Sequence, residues 1–137
     1  MSAPPTILVV DDDIDFVAVV RAALEWAGYR VLAEDAAAGL ETARREQPGL
    51  ILLDLMMEDT DSGVRLAREL RRQPETEHIP IAILTAVRQV TGFGFTPTTP
   101  EDYEWIGADA WVEKPIASAE LIKLAQRLLG DSKGKTQ

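Results

Sequence analysis

At 137 residues, with Lys+Arg 14 against Asp+Glu 23 and a formal net charge of −9, the chain has the length of one ordinary domain with a real core. The acidic balance argues against partners held through nucleic-acid phosphates or an anionic membrane surface, both of which need a positive patch, and turns attention to proteins and small cations. Cysteine is absent, which excludes a disulfide framework and a thiolate metal site; no signal-peptide pattern or bilayer-length apolar run is present, so a soluble cytoplasmic protein is expected.

The run TILVV at 6–10 is short and continuously apolar, as expected of a strand buried on both faces of a parallel sheet. Residues 14–27 follow with a helical stripe of Val17, Val20, Leu24 and Ala27 and with Gly28 as the stop. YRVLAE at 29–34 reads as a second strand and 36–46 as a second helix. LILLD at 50–54 is another fully apolar strand up to its last residue. Residues 63–73 carry Val64, Ala67 and Leu70 at helical spacing before Pro74. IPIAILT at 79–85 and ADAWVEK at 108–114 complete the strands, and 118–129 closes with Leu121, Leu124, Ala125 and Leu128 on one helical face. Five strands interleaved with helices imply an α/β fold, a doubly wound five-stranded parallel sheet built through right-handed crossovers. The domain is expected over 6–130, with an extended loop between strands 4 and 5 and a disordered polar tail at 131–137.

In such sheets ligands bind beyond the carboxyl ends of the strands. There the first strand delivers Asp11, Asp12 and Asp13, the third Asp54, the fourth Thr85 and the fifth Lys114. Two carboxylates about 4 Å apart repel by roughly 4 kcal/mol at an effective dielectric near 20, so the crowded aspartates either splay into water or hold a cation. Asp13 reads as the N-cap of the first helix. Each of the others has an ordinary structural explanation alone; their convergence from four segments on one sheet edge does not.

Taken in order, ILVVDDD, LILLDLMM, ILTA and VEKPI resemble the receiver domain of two-component response regulators from about Thr6 to Gly130. The resemblance implies a flavodoxin-like (βα)5 fold. It implies Asp54 as phosphoacceptor, Asp11 and Asp12 as the acidic pair, Thr85 as a switch hydroxyl and Lys114 as the lysine that meets phosphoryl oxygens. It also implies Mg²⁺ as the cation: Asp12, Asp54 and the Met56 carbonyl as direct ligands, with Asp11 acting through water. The expected donor is a sensor histidine kinase or phosphotransfer protein, and the expected receiver of the signal is a downstream protein target engaged at the strand 4/strand 5 face. Trp111 stands where the family usually has a switch tyrosine or phenylalanine. The physical logic agrees, because phosphoryl transfer asks a protein chiefly for positioning and charge neutralisation, and Mg²⁺ takes a few carboxylate or carbonyl oxygens while leaving positions to water and phosphate.

The sequence departs from the family at Glu58, where proline is common, and at Gly63, one residue later than usual. Lys114 lies 29 residues after Thr85 (114 − 85), several more than usual. The surplus VRQVTGFGFTPTTPEDYEWIG is too rich in Gly, Thr and Pro for one long helix, though Thr99 could cap a short helix there. It is either a plain surface insertion or a recognition surface built on Phe93, Phe95, Tyr103 and Trp105. An EF-hand is excluded, because Phe16 and Ala22 stand where its loop needs glycine and glutamate; no Gly-rich phosphate loop is present. His78 reads as a solvated residue at a strand entry. Two other function classes stay open: a receiver-fold interaction module that does not use phosphorylation, and a small Mg²⁺-dependent phosphatase with Asp11 as nucleophile.

Overall fold

The computed structural model describes residues 5–54, 62–85, 108–113 and 116–134. Their elements are β1 (Thr6–Val10), α1 (Ile14–Trp26), β2 (Arg30–Glu34), α2 (Ala36–Glu46), β3 (Leu50–Asp54), α3 (Ser62–Arg72), β4 (Ile81–Thr85), β5 (Ala110–Glu113) and α4 (Ser118–Gly134). The five strands form one parallel sheet in the order β2-β1-β3-β4-β5. This is the doubly wound sheet expected from the strand–helix alternation. α4 continues to Gly134, past the boundary expected at residue 130. Residues 86–107, which contain the long β4–β5 connection, lie outside the described residues.

Strand periodicity splits the apolar residues between two cores. Ile7, Val9, Leu50, Leu52, Ala82 and Leu84 pack with Val20 and Leu24 of α1 and with Leu121, Leu124, Ala125 and Leu128 of α4. Their alternates Leu8, Val10, Ile51, Leu53, Ile81 and Ile83 pack with Ala43 of α2 and with Leu66, Ala67 and Leu70 of α3. Coverage on both faces is why β1 and β3 are apolar without alternation. Each fully buried Leu or Ile contributes about 1.5–3 kcal/mol relative to exposure.

Local chemistry fixes the ends of the helices. Asp13 and Asp35 cap α1 and α2, their carboxylates accepting from Phe16 N–H at 3.1 Å and Ala38 N–H at 3.0 Å. α2 ends on Gln47, a non-glycine residue at φ 50, whose side-chain amide donates to the Arg44 carbonyl at 3.2 Å and the Glu75 carbonyl at 2.9 Å. α2 and α3 approach closely at Gly39, where a Cβ would stand 2.9 Å from a Leu66 methyl. At the amino edge of the sheet Arg71 donates to the Glu77 and Ile79 carbonyls and to Asp109; Asp109 also accepts the Ile81 N–H. That clamp joins the end of α3 to the starts of β4 and β5.

Candidate functional site

At the carboxyl edge of the sheet, Val10 is in register with Leu53 and Asp54 with Leu84. The chain leaving β1 at Asp11 therefore runs beside Asp54, the last residue of β3. Carboxylate oxygens of Asp11, Asp12 and Asp54 lie within 4.8 Å of one another. Asp54 is 4% and Asp11 7% exposed, whereas Asp12 is open to solvent. Asp11 accepts the Asp13 N–H at 2.9 Å, and its own N–H donates to the Glu34 carbonyl at 3.2 Å. These contacts tie the turn after β1 to the end of β2. Asp13, the third of the adjacent aspartates, is spent on capping α1, as its position suggested.

Thr85 ends β4 in register with Glu113, the last residue of β5. The backbone thus carries the fourth and fifth strands to the same edge, with Lys114 next in sequence. Lys114, Met56 and Glu58 lie outside the described residues, as does the side chain of Thr85. Trp111 is partly buried on β5 and packs on the cluster shared by α2 and α3. His78 is exposed at the entry to β4, in keeping with a solvated residue.

Two buried carboxylates beside a third are unfavourable in water-poor surroundings unless charge is compensated. An oxygen-only donor set with one side open suits a hard divalent cation that keeps water or phosphate in its remaining positions. The family model for the response regulator receiver domain matches residues 7–126.

This chain belongs to the response-regulator receiver family. The receiver is 38% identical over 125 residues to the phosphate regulon transcriptional regulatory protein PhoB of Pseudomonas aeruginosa, covering 90% of this chain and 51% of that protein. The chain spans about half the length of the first curated relatives it matches. It is 32% identical over 127 residues to protein PilH of the same species, covering 90% of this chain and 96% of PilH. Among solved structures, it resembles the receiver domain of a sensor histidine kinase of Pseudomonas aeruginosa, which holds a magnesium ion in its active-site cleft. Identity there is 30% and the TM-score 0.77, covering 93% of this receiver and 99% of that chain. No helix among the receiver's described residues is long and apolar enough to cross a membrane.

One pair at this edge was not singled out in the sequence. Glu34, at the end of β2, accepts a hydrogen bond from the Thr42 hydroxyl of α2 at 2.9 Å, and Thr42 is 3% exposed. The available signal was a threonine on the packing face of a helix, where an apolar residue is the ordinary choice.

Proposed function

We propose that this receiver accepts a phosphoryl group on Asp54 from a sensor histidine kinase or phosphotransfer protein and passes the signal to a downstream protein. The observation that carries the reading is the meeting of Asp11 and Asp12 from one strand end with buried Asp54 from another. In the transfer, the P–N bond of a donor phosphohistidine breaks as a P–O bond to the Asp54 carboxylate forms. Water later cleaves that acyl phosphate, returning the carboxylate and inorganic phosphate. Asp11, Asp12 and Asp54, with the Met56 carbonyl, would hold Mg²⁺. Bound there, the ion supplies neutralisation of the charge on the phosphoryl oxygens. Lys114 adds a second positive charge and Thr85 a hydrogen-bond donor, and both draw the ends of β4 and β5 toward the phosphoryl group. That movement alters the strand 4/strand 5 face, where the target binds, and Trp111 on β5 is the aromatic placed to report it. The receiver unit spans about 6–130. PilH, of which the chain covers 96%, supports a stand-alone regulator; PhoB, half of which is matched, is the pattern of a receiver joined to further sequence.

Intact-mass spectrometry after incubation with acetyl phosphate and Mg²⁺ tests the reading. One phosphoryl adduct is expected on the wild type and none on Asp54→Asn or in the presence of chelator. A wild type that binds Mg²⁺ and gains no adduct would refute the phosphoacceptor role and favour a phosphorylation-independent module. Steady turnover of an external phosphoester, lost in Asp11→Asn and retained in Asp54→Asn, would identify a phosphatase instead.

A further inference from the structure

β5 is a short edge strand, with β4 as its one neighbour in the sheet. At its amino end the Asp109 N–H donates to the Ile81 carbonyl at 2.7 Å, and the Asp109 carboxylate accepts the Ile81 N–H at 2.8 Å. The same carboxylate oxygen accepts from the Arg71 guanidinium at 2.7 Å. Arg71 also donates to the Glu77 and Ile79 carbonyls at 2.8 and 2.7 Å. One node thus fastens β5 to β4 and to α3, whose Leu66, Ala67 and Leu70 are buried in the core. A lone surface ion pair contributes little; here charge-assisted bonds bind three segments at once. The carboxyl end of β5, by contrast, is in register with Thr85 and leads directly into Lys114, the two residues read as moving toward the phosphoryl group.

We propose that the Arg71–Asp109 clamp is the fixed pivot of the switch, about which β5 tilts when Lys114 is drawn toward phosphorylated Asp54. The pivot presupposes the reading of Asp54 as phosphoacceptor. A strand pinned at one end and pulled at the other swings, and its displacement grows with distance from the pin. At about 3.3 Å per residue, Trp111 lies about 7 Å and Lys114 about 17 Å from Asp109 along the strand, so Trp111 moves by about 0.4 of the shift at Lys114. Trp111 packs on the cluster shared by α2 and α3, and α3 carries the other half of the clamp. The indole is therefore displaced against the helix that anchors the pivot. Without the clamp, the pull is relieved by a shift of the whole strand along β4. Asp109 and Arg71 are positioning residues, at the edge of the sheet opposite the acidic cluster.

Amide NMR of the whole chain with and without excess acetyl phosphate and Mg²⁺, intact mass reporting the adduct, tests the pivot. In the phosphorylated wild type the change in amide shift is expected to fall about fourfold from Glu113 to Ala110, following distance along the strand, and to be smallest at Asp109 and Ile81. Asp109→Ala is expected to take the adduct as the wild type does and to flatten that gradient, with changes at Ala110 and Ile81 as large as at Glu113. Asp109→Asn, whose amide oxygen still accepts from Ile81 and Arg71, is expected to retain it; a role confined to stability would leave the gradient alike in all three proteins. Arg71→Met carries the same expectation as Asp109→Ala if the latter does not fold. Changes spread evenly along β5 in the phosphorylated wild type, or a wild-type gradient in folded, phosphorylated Asp109→Ala or Arg71→Met, overturn the pivot alone. A wild type that takes no adduct overturns the phosphoacceptor reading and the pivot together.

Discussion

Removing one carboxylate from the acidic cluster is expected to make the metal-free protein more stable and to abolish its response to Mg²⁺. Asp12→Asn is the suitable change, because Asp12 is the solvent-exposed member of the trio and its amide keeps nearly the same shape. The carboxylate oxygens lie within 4.8 Å of one another. At that separation a pair of unit charges repels by about 0.9 kcal/mol at the dielectric of water and about 3.5 kcal/mol at an effective dielectric near 20. Exposure and salt place the two pairs made by Asp12 near the lower figure, for a total of about 1–2 kcal/mol. Unfolding entropy of about 2.1 cal/mol/K per residue over 137 residues converts this to a rise in Tm of about 3–7 °C. Calorimetric melting in chelator and in excess Mg²⁺ measures both effects. The wild type is expected to gain stability with the ion; a ligand at about 100 times its Kd adds about 2.7 kcal/mol. Asp12→Asn is expected to melt higher than the wild type in chelator, by less at high salt, and to respond little to Mg²⁺. Melting at or below the wild type in chelator, together with an undiminished Mg²⁺ shift, would refute the electrostatic reasoning and the ligand role of Asp12.

Other consequences concern the scaffold. Thr76 is fully buried and its hydroxyl donates to the Leu70 carbonyl at 2.6 Å; Thr76→Val, nearly isosteric, leaves that carbonyl unpaired and should lower stability by about 1–3 kcal/mol in urea titration, a loss that Thr76→Ser should largely avoid. Arg71→Met removes bonds to two carbonyls at 2.8 and 2.7 Å and an ion pair to Asp109 at 2.7 Å. With partial exposure discounted, about 2–3 kcal/mol of stability should be lost, and phosphorylation of the surviving folded protein should persist because the clamp lies at the opposite edge of the sheet. The Arg45 hydrogen bond holds the Glu46 carboxyl below its usual range, aided by Arg30 and opposed by desolvation. A carboxylate lowered in the folded state contributes stability above its unfolded pKa and loses it as pH falls through the folded value. Arg45→Gln should therefore move the Glu46 midpoint upward in an NMR titration, and an unmoved midpoint would show that the contact is not made in solution.

The strand–helix alternation, the two wholly apolar strands and the cap at Asp13 were legible in sequence, because each is written in residues a few positions apart. Apolar runs at β1 and β3 mark strands covered on both faces, and a carboxylate just before a helix has an unpaired N–H within reach. The acidic residues at the strand ends were legible as well. Their meeting rested on the parallel-sheet rule and on resemblance to a family, since Asp11 and Asp54 are 43 positions apart (54 − 11). Only the tertiary structure decided that β1 sits between β2 and β3, and that Asp54 and Asp11 are buried while Asp12 is not. It also placed Gln47 in a left-handed conformation and turned Glu34 toward Thr42. These features depend on which elements pack side by side, and packing is settled by long-range burial that local periodicity does not encode.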